Sequence, residues 1–330
     1  MRVMLTGATG FVGGNLLELL SRRGFQVRCL VRPGGEKFLP RDPSVEVVRG
    51  DLRAPDSVEA CAAGCRAIFH VAADYRLWVP DPAEMFAINV EGTRNVIRAA
   101  RKAHVDRVVH TSTVGALGIP RDGSPGNEET PVAMKDLVGP YKRSKFLAER
   151  EALRAAEEGL DVVVVNPSTP VGPGDRKPTP TGRIVVDFLN RRMPAYVDTG
   201  LNLVHVGDVA EGHILALEHG RTGQKYILGN QDLTLGEIFH LLAQISSLKA
   251  PVLRLPRRPI LGLAYLNEAW SRWLTHREPR IPLDGVRMAA KKMFFDASKA
   301  VRELGLPQTP VRVALEGAVG WFRDHGYVRA

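Results

Sequence analysis

Short apolar runs rich in β-branched residues alternate with longer amphipathic segments through the first half of the chain. Such runs are typical of strands that helices cover on both faces, and their alternation with helical patterns indicates βαβ units. The pattern therefore predicts an α/β fold built on a doubly wound parallel sheet. The predicted strands are RVMLT (2–6), QVRCLV (26–31), VEVVRG (45–50), RAIFHVA (66–72), RVVHTST (107–113) and DVVVVNP (161–167).

The pattern changes after the sixth run. Proline and glycine punctuate residues 166–183, which predicts a loop-rich stretch, and periodic segments resume beyond it. We expect a main domain over residues 1–170, to which some later segments return, and a smaller lobe over 171–330 at the carboxyl edge of the sheet. The remaining predicted elements are helices near 82–103, 140–157, 207–219, 234–247, 258–275 and 310–325, and a strand at 225–229.

Composition is that of a globular protein. The chain has 330 residues, 44% of them hydrophobic and 25% charged. No window approaches about 18 uninterrupted apolar residues, so no transmembrane helix is predicted. The chain begins at once with a strand-like run, without the pattern of a signal peptide, and its three cysteines are too few for a disulfide framework. We therefore expect a cytoplasmic protein with reduced thiols and no metal site.

The formal net charge of +9 is concentrated near the C-terminal end. Residues 249–292 hold ten Lys or Arg against three Asp or Glu. The arginines at 257, 258, 272 and 277 do not belong to a nucleic-acid motif, so a solvated basic face is expected rather than a nucleic-acid partner. Within this region the segment 257–274 has an apolar face flanked by cations. That pattern fits either a helix covering the substrate lobe or an interfacial helix in weak peripheral contact with a membrane.

A glycine-rich turn joins the first strand to the next helix. TGATGFVGG (6–14) places Gly7, Gly10 and Gly13 at G-x-x-G-x-x-G spacing. Glycines there permit a tight turn, close approach of backbone to a pyrophosphate and close packing of helix on strand, and the helix N-terminus favours an anion. This position in a β/α pattern predicts a dinucleotide site.

The end of the second strand bears on the choice of dinucleotide. An acidic residue there would bond a ribose 2′-hydroxyl, whereas a cation would accommodate a 2′-phosphate. The sequence CLVRPGGEK (29–37) has Arg32 just beyond the strand and no adjacent acid. NADP(H) is therefore favoured, with NAD(H) as the alternative.

Tyr141 and Lys145 stand four residues apart in GPYKRSKFLAER (139–150), a segment with helical spacing. Side chains at i and i+4 lie on one helix face, which holds the phenol and the ammonium together. A free tyrosine has a pKa of about 10 and is a poor base near neutrality. We expect the Lys145 ammonium to lower the pKa of Tyr141 towards a useful range.

Together these motifs resemble those of the extended short-chain dehydrogenase/reductase family, over nearly the whole chain. The matching stretches are TGATGFVG (6–13), GDL (50–52), HVAA (70–73), NVEGT (89–93), TST (111–113), YKRSK (141–145) and NPSTPVGP (166–173). The resemblance is closest to hopanoid-associated sugar epimerases and dihydroflavonol-4-reductase-like proteins, through AADYRLW (72–78), KPTPTGR (177–183) and YVDTGLNLVHVGDVAEGH (196–213). It implies a Rossmann domain, an NAD(P)-dependent active site and a homodimer formed by helices 83–102 and 140–157.

The resemblance also implies residue roles. Tyr141 would exchange a proton with the substrate oxygen, Lys145 would bond the nicotinamide ribose, and Thr113 rather than Ser112 would hold that oxygen. Asn89 would be a structural hydrogen-bonding residue. The predicted cofactor-binding residues are Gly7, Thr9, Gly10, Phe11, Val12, Gly13, Arg32, Asp51, Leu52, Val71, Ala72, Ala73, Thr111, Tyr141, Lys145, Pro167 and Ser168.

Departures from the family pattern reduce the number of reactions that the chain is expected to catalyse. Sugar dehydratases of the family carry an Asp-Glu pair after the catalytic Thr, where this chain has Val114 and Gly115. An epimerase needs only the Tyr, the Thr and a roomy pocket, and is the first expectation. Leu201 and Asn202 stand where many nucleotide-sugar enzymes place an Arg-Asp pair, which weakens the case for a nucleotide sugar.

Two alternatives stay open. NADPH-dependent carbonyl reduction of the dihydroflavonol-4-reductase type is close behind the epimerase, and a non-catalytic dinucleotide sensor is the alternative from another class. Either enzyme would act on a small molecule, a sugar or a carbonyl compound. The candidate substrate contacts are Tyr75, Trp78, Lys177, Thr179, Arg183 and His205, the last of which could equally be a histidine packed at a helix entry.

Overall fold

A seven-stranded sheet forms the centre of the protein. The computed structural model describes residues 1–79, 81–271, 283–289 and 291–329. The described strands are β1 Arg2–Thr6, β2 Gln26–Val31, β3 Val45–Arg49, β4 Ala67–His70, β5 Arg107–Thr111, β6 Val162–Pro167, β7 Thr169–Val171, β8 Ala195–Val197, β9 Gly200–His205, β10 Lys225–Leu228, β11 Gln231–Thr234 and β12 Leu253–Leu255. The central sheet has the order β10-β6-β5-β4-β1-β2-β3 with every pair parallel, which confirms the predicted fold class.

Helices cover both faces of this sheet. The described α-helices are α1 Phe11–Arg22, α2 Pro55–Ala62, α3 Pro82–Phe86, α4 Gly92–Lys102, α5 Gly139–Glu157, α6 Pro180–Leu189, α7 Val206–His219, α8 Leu235–Ser246, α9 Arg257–Trp270, α10 Leu283–Met288, α11 Ser298–Leu304 and α12 Val311–Asp324. Successive strand residues point to opposite faces, so Leu5 packs among residues of α1 and α7 while Met4 packs among those of α2, α4 and α5. Burial on both faces explains why inner strands such as β4 and β6 are mainly apolar, whereas the edge strand β3 is partly exposed and contains Glu46 and Arg49.

The strand order places the site. Chain connections run in opposite directions from β1, which lies between β2 and β4. In open parallel sheets such a switch point leaves a crevice at the carboxyl ends of the strands, where ligands bind. The predicted glycine turn follows β1, the HVAA stretch spans the end of β4, and the TST and NPS stretches close β5 and β6.

A second cluster of elements is built from the later part of the chain. β11, β9 and β7 form a three-stranded sheet, β12 pairs with β8, and α6, α8 and α12 contribute to one apolar core. The stretch 166–183, predicted to be loop-rich, contains β7 and the start of α6. By contrast, α7 and β10 pack in the layers of the central sheet.

Two helices differ from the prediction. The segment 82–103 is divided, because a π-helical turn over 87–91 separates α3 from α4. Such insertions are frequent at functional sites because they redirect side chains. The helix predicted at 258–275 is found as α9 up to Trp270, and residues 272–275 of that prediction lie outside the described residues. Among the described helices, none has the length and apolarity required to cross a bilayer.

Candidate active site

The glycine turn is locked against the end of β4. Gly7 has φ of 78°, and a Cβ on it would lie 2.7 Å from the amide nitrogen of Ala72. A Cβ on Gly13 would lie 2.1 Å from the Gly7 carbonyl oxygen. Neither position tolerates a side chain, because in each case the obstructing atom belongs to the backbone. These two glycines therefore let the turn, β4 and α1 approach one another.

The first turn of α1 is open to an anion. Gly10 precedes the helix in an extended conformation, and the helix has neither a side-chain cap nor an acidic residue in its first turn. The first amides of a helix lack intrahelical acceptors, and here these are the amides of Phe11, Val12 and Gly13. Together with Thr9 in the turn, they form a cradle of the kind that binds pyrophosphate.

The predicted adenosine side of the site contains one exposed cation and one carboxylate that is paired with a second cation. Arg32 is exposed directly after β2. The Asp51 carboxylate accepts hydrogen bonds from the Arg53 guanidinium at 2.9 Å, which together with the nearby Arg32 lowers the pKa of Asp51. Leu52 is buried, and its carbonyl accepts from the Asn95 amide at 2.8 Å. The sequence did not predict Arg53 as the partner of Asp51.

A buried network fixes the backbone after β4. The Thr6 hydroxyl accepts from the amides of Val71 and Ala72 at 3.1 Å and lies 2.9 Å from His70 Nδ1. His70 Nε2 lies 3.0 Å from the Thr93 hydroxyl, which donates to the Asn89 carbonyl. Thr93 therefore accepts from His70, which makes Nδ1 the acceptor. Burial lowers the pKa of His70 to about 3, so the ring is neutral. The half-buried Ala73 follows this network directly.

Tyr141, Thr113 and Lys145 meet at the carboxyl end of β5. The Thr113 hydroxyl accepts from the Gly115 amide at 3.1 Å and lies close enough to the Tyr141 phenol to act on its pKa. Lys145 lies one turn further along α5 and is 3% exposed. Its ammonium donates to the Thr111 carbonyl at 2.6 Å. The structure thus brings together the three side chains that the sequence proposed for catalysis.

The charge state of Tyr141 differs from the prediction. Burial raises the pKa of Tyr141, and the bond to Thr113 offsets this only in part. Lys145 is not among the groups that shift the Tyr141 pKa, so the lowering expected from the i, i+4 spacing is wrong for the protein alone. Burial lowers the pKa of Lys145 to about 8. Near neutrality the phenol is therefore protonated and Lys145 is mostly charged.

Ser112 points away from this group. Its side chain is buried and faces the Glu149 carboxylate, which accepts from Asn166 Nδ2 at 2.7 Å. The same Asn166 nitrogen lies 3.1 Å from the Thr113 carbonyl. Burial raises the pKa of Glu149. Alternation along β5 therefore separates the two hydroxyls, as expected from the period of a strand.

The start of α5 is held by the π-helical turn. Asn89 is 2% exposed, and its amide nitrogen donates to the Ser144 hydroxyl and to the Asp74 carbonyl, both at 2.9 Å. Ser144 in turn donates to the Tyr141 carbonyl at 2.9 Å. Asn89 thus makes its hydrogen bonds inside the protein. The turn that redirects Asn89 braces the helix that carries Tyr141.

The end of β6 offers a hydroxyl suited to a ligand. Pro167 is buried as the last residue of β6, and the Ser168 amide donates to the Leu228 carbonyl at 3.0 Å. The Ser168 hydroxyl oxygen is buried and makes no hydrogen bond within the described part of the chain. A carboxamide bound here would satisfy it. The glycine cradle at one end and this hydroxyl at the other fit a nicotinamide dinucleotide.

Part of the predicted substrate group lies together. Tyr75 contributes to the electrostatic environment of Tyr141. Burial raises the pKa of Tyr75 itself; the nearby Asp175 adds to this rise and Arg183 opposes it. Asp175, which the sequence missed, is 2% exposed and accepts from the Thr179 amide and hydroxyl. Gly182 permits this, since its Cβ would lie 2.1 Å from Asp175 Oδ2.

The other predicted substrate residues are less closely tied to Tyr141. His205 Nδ1 accepts from the Gly207 amide at 2.9 Å and caps α7, which matches the alternative of a histidine at a helix entry. Thr179 caps α6 by accepting from the Gly182 amide. Lys177 is exposed and Trp78 is half-buried. Among the described residues, no cluster of His, Cys, Asp or Glu could hold a metal ion.

Comparison with known protein families identifies a match over most of the chain. A model of the NAD dependent epimerase/dehydratase family matches residues 3–229, a range that contains the cradle, Thr113, Tyr141 and Lys145. The chain belongs to this family. It is an NAD(P)-dependent oxidoreductase or epimerase of the extended short-chain dehydrogenase/reductase type, which confirms the resemblance found in the sequence.

Individual relatives cover the whole length. A Synechocystis sp. protein provisionally named a dihydroflavonol 4-reductase is 47% identical over 98% of this chain and 95% of its own. Sterol demethylase protein B of Methylococcus capsulatus is 36% identical over 99% of this chain and 100% of its own. The crystal structure of gox2253 superposes with a TM-score of 0.88 at 46% identity, covering 99% of each chain.

Proposed function

We propose that this enzyme is an NAD(P)H-dependent reductase of a carbonyl compound, with Tyr141 as the proton donor. The observation that carries the proposal is the placement of the Tyr141 phenol beside the Thr113 hydroxyl at the end of β5, where a pKa raised further above its usual value leaves the phenol in the proton-donating form near neutrality. A protonated phenol is suited to deliver a proton to a carbonyl oxygen, whereas oxidation of a carbinol needs a base there. When bound, the dinucleotide would supply the hydride.

Each side chain of the group has a separate task in this proposal. The Thr113 hydroxyl holds the substrate oxygen beside the phenol. Tyr141 gives its proton to that oxygen, so the product is an alcohol and the side chain is left as a phenolate. The Lys145 ammonium lies one turn along the same helix face, where it would bond the nicotinamide ribose of the bound dinucleotide. Lys145 also donates a hydrogen bond to the Thr111 carbonyl at the end of β5. This bond holds α5, which carries Tyr141, against the strand that leads to Thr113.

NADP(H) is the proposed dinucleotide. The first turn of α1 would hold the pyrophosphate, and the Ser168 hydroxyl would face the carboxamide. Arg32 supports the 2′-phosphate form, since it is exposed beyond β2 and the neighbouring Asp51 is already paired with Arg53. An acid engaged by an arginine is poorly placed to select a free ribose hydroxyl.

A nucleotide sugar is a poor fit to the substrate side. Asn202, at the position of the diphosphate-binding pair in many sugar epimerases, is 1% exposed. Its amide nitrogen donates to Asp232 Oδ1 at 2.8 Å and to the Phe295 carbonyl at 3.0 Å, and its oxygen accepts from the Asn230 amide at 3.0 Å. Asn202 is therefore engaged in holding the lobe together. Epimerisation, the first expectation from the sequence, becomes the second candidate.

The compounds for which two relatives are named support a weakly polar ring compound as the substrate. One is named for a dihydroflavonol and the other for a sterol. Tyr75 lies near Tyr141 and would contact such a substrate, and Arg183 lies near Tyr75. A hopanoid-related substrate, a homodimer through α4 and α5, and a cytoplasmic location stay predictions.

The test is to follow dinucleotide consumption by the purified enzyme. Cyclic ketones and UDP-sugars would be supplied in parallel with NADPH, and products would be identified by mass spectrometry. We expect stoichiometric NADPH oxidation and an alcohol product from a ketone. Conversion of a sugar to its epimer without net NADPH loss would instead establish the epimerase. Tight dinucleotide binding with no turnover of any compound would favour the sensor.

A further inference from the structure

The outward side of α9 is apolar. Leu266 is 71% exposed, Trp270 59% and Leu263 53%. Their spacing of three and four residues puts them on one helix face. The opposite face of α9 is covered by α10, because Ala264 is fully buried and packs in a small core with Leu283. Nothing in the described part of the chain covers the outer face.

Charge is absent from that face. Between residues 259 and 270, Glu268 is the one ionisable acid or base besides Tyr265. The Glu268 carboxylate accepts from the Leu283 amide at 3.3 Å, so it is turned towards α10 and not outwards. A helix that is apolar on both faces needs cover on both. The segment leading into α9 has two more exposed apolar side chains, Val252 at 90% and, at the start of β12, Leu253 at 56%.

Cations flank this surface on both sides along the chain. Lys249 and Arg254 precede α9, Lys291 and Lys292 follow α10, and all four are exposed. The whole stretch 249–292 has ten Lys or Arg against three acids. An apolar helix face bordered by basic residues is the pattern of a helix that lies in the headgroup region of an anionic bilayer.

The basic border also distinguishes between occupants. A second copy seated on this face would bring two strongly basic stretches together, and like charges repel. An anionic bilayer instead attracts them while its acyl region receives the leucines and the tryptophan. With 14 residues, α9 is about 21 Å long and too short to span the bilayer, so it would lie along its surface.

The helix that carries this surface is linked to the candidate active site through α10. Gly139, at the start of α5, is so close to α10 that its Cβ would lie 2.5 Å from Asp284 Oδ2. Lys142, the residue after Tyr141, has its ammonium 3.7 Å from Met293 Sδ. α10, which packs on α9, is therefore in contact with the first turn of the helix that carries Tyr141.

We propose that the α9 surface, comprising Leu263, Leu266, Trp270, Val252 and Leu253 with its flanking cations, docks the enzyme on anionic lipid bilayers. Because α10 packs on α9 and contacts the first turn of α5, docking would bring the Tyr141 end of α5 towards the lipid surface, where a weakly polar substrate is concentrated. The docking itself is independent of the proposed reaction. Trp273 and Leu274, at the end of the segment 257–274, lie outside the described residues.

The test is flotation of the full chain with vesicles of phosphatidylcholine and phosphatidylglycerol, compared with phosphatidylcholine alone. We expect co-flotation with the anionic vesicles at low salt and much less at high salt. Leu266→Glu should reduce the bound fraction by roughly tenfold or more, because it places a charge at the apolar contact. Val313→Glu is the matched control, because Val313 is 46% exposed and belongs to α12 rather than to α9. This variant should bind the vesicles as the parent does.

Three results would overturn the proposal: no co-flotation with anionic vesicles, equal binding to neutral and anionic vesicles, or equal loss in the two variants. Gel filtration of the parent and Leu266→Glu supplies a further arm. A parent dimer that Leu266→Glu dissociates would assign the surface to a second copy and would also overturn it. Ketone turnover in detergent-free buffer should be alike in parent and variants, so a failure of docking is distinguishable from a failure of the proposed reaction.

Discussion

The Lys145 ammonium donates a hydrogen bond to the backbone carbonyl of Thr111 at 2.6 Å, which ties α5 to the end of β5. The Thr111 side chain is fixed at the same time, because its hydroxyl lies 2.8 Å from His213 Nε2 on α7. One strand end therefore joins helices from both faces of the sheet. Tyr141 and Thr113 owe their relative placement to this junction.

Alanine variants of Thr113 and Ser112 should differ in their effect on turnover. Thr113→Ala removes the hydroxyl beside the phenol and should lower kcat roughly 10- to 100-fold, with the dinucleotide Kd unchanged. Ser112→Ala is the control, because that hydroxyl faces Glu149 on the other side of the strand. Steady-state kinetics on the two purified variants would check this. A larger loss in Ser112→Ala would contradict the assignment.

The glycine cradle gives a second matched pair. Gly13→Ala puts a methyl group 2.1 Å from the Gly7 carbonyl oxygen, so the turn must move and dinucleotide affinity should fall at least roughly tenfold. Gly14→Ala meets its nearest atom, the Ala8 carbonyl oxygen, at 3.5 Å, and should gain about 0.5–1 kcal/mol of helix stability. Calorimetric titration with NADPH and thermal unfolding report both effects. Equal affinity in the two variants would show that the cradle does not hold the cofactor.

Arg32 should set the preference between the two dinucleotides. Arg32→Gln removes the cation beyond β2, so NADPH affinity should fall roughly 10-fold or more while NADH affinity changes little. Arg41→Gln, at an exposed arginine in the same region of the chain, serves as the control for a general loss of positive charge. Titration of each variant with both dinucleotides gives the ratio. A parallel loss for NADPH and NADH would exclude recognition of the 2′-phosphate by Arg32.

Stability should decline in mild acid because of buried neutral histidines. Burial lowers the pKa of His213 to about 4 and that of His70 to about 3. An unfolded histidine takes up its proton near pH 6.5, whereas these two remain neutral in the folded protein, so the free energy of unfolding falls as pH drops below about 6.5. Each contributes roughly 1.4 kcal/mol per pH unit in that window until its folded pKa is reached.

A histidine variant isolates this effect. His213→Gln should reduce the slope of unfolding free energy against pH between about 6.5 and the folded pKa of about 4, measured by denaturant titration at several pH values. His219→Gln changes a histidine whose side chain is 57% exposed and should leave the slope as it is in the parent. Equal slopes in parent and His213→Gln would mean that His213 is already protonated in the folded protein at those pH values.

The first half of the fold was predictable because its signals are local. Most of the central strands are mainly apolar runs, and the glycine turn directly follows the first of them. The strands of the later half are short and partly polar, as in β11 (QDLT), and they form only by pairing with distant segments such as β9. Local composition does not encode those pairings.

The candidate site likewise combines features that the local sequence predicts with features that depend on distant contacts. Tyr141, Lys145 and Thr113 are fixed by motif and helix spacing, but the raised pKa of Tyr141 depends on burial that several elements create together. Asp175 was missed because its environment depends on contacts with Thr179 and Gly182. One local signal for that region was available. Thr179 followed by Pro180 is the start signature of a helix and marks the first turn of α6 within the stretch predicted as loop.

The most direct test of the account is Tyr141→Phe, which removes the phenolic oxygen and preserves the ring. We predict that kcat for ketone reduction falls by a factor of roughly 100 to 10,000, while the Kd for NADPH measured by titration stays within about twofold of the parent value. Turnover at the parent rate in Tyr141→Phe would contradict the assignment of Tyr141 as the proton donor.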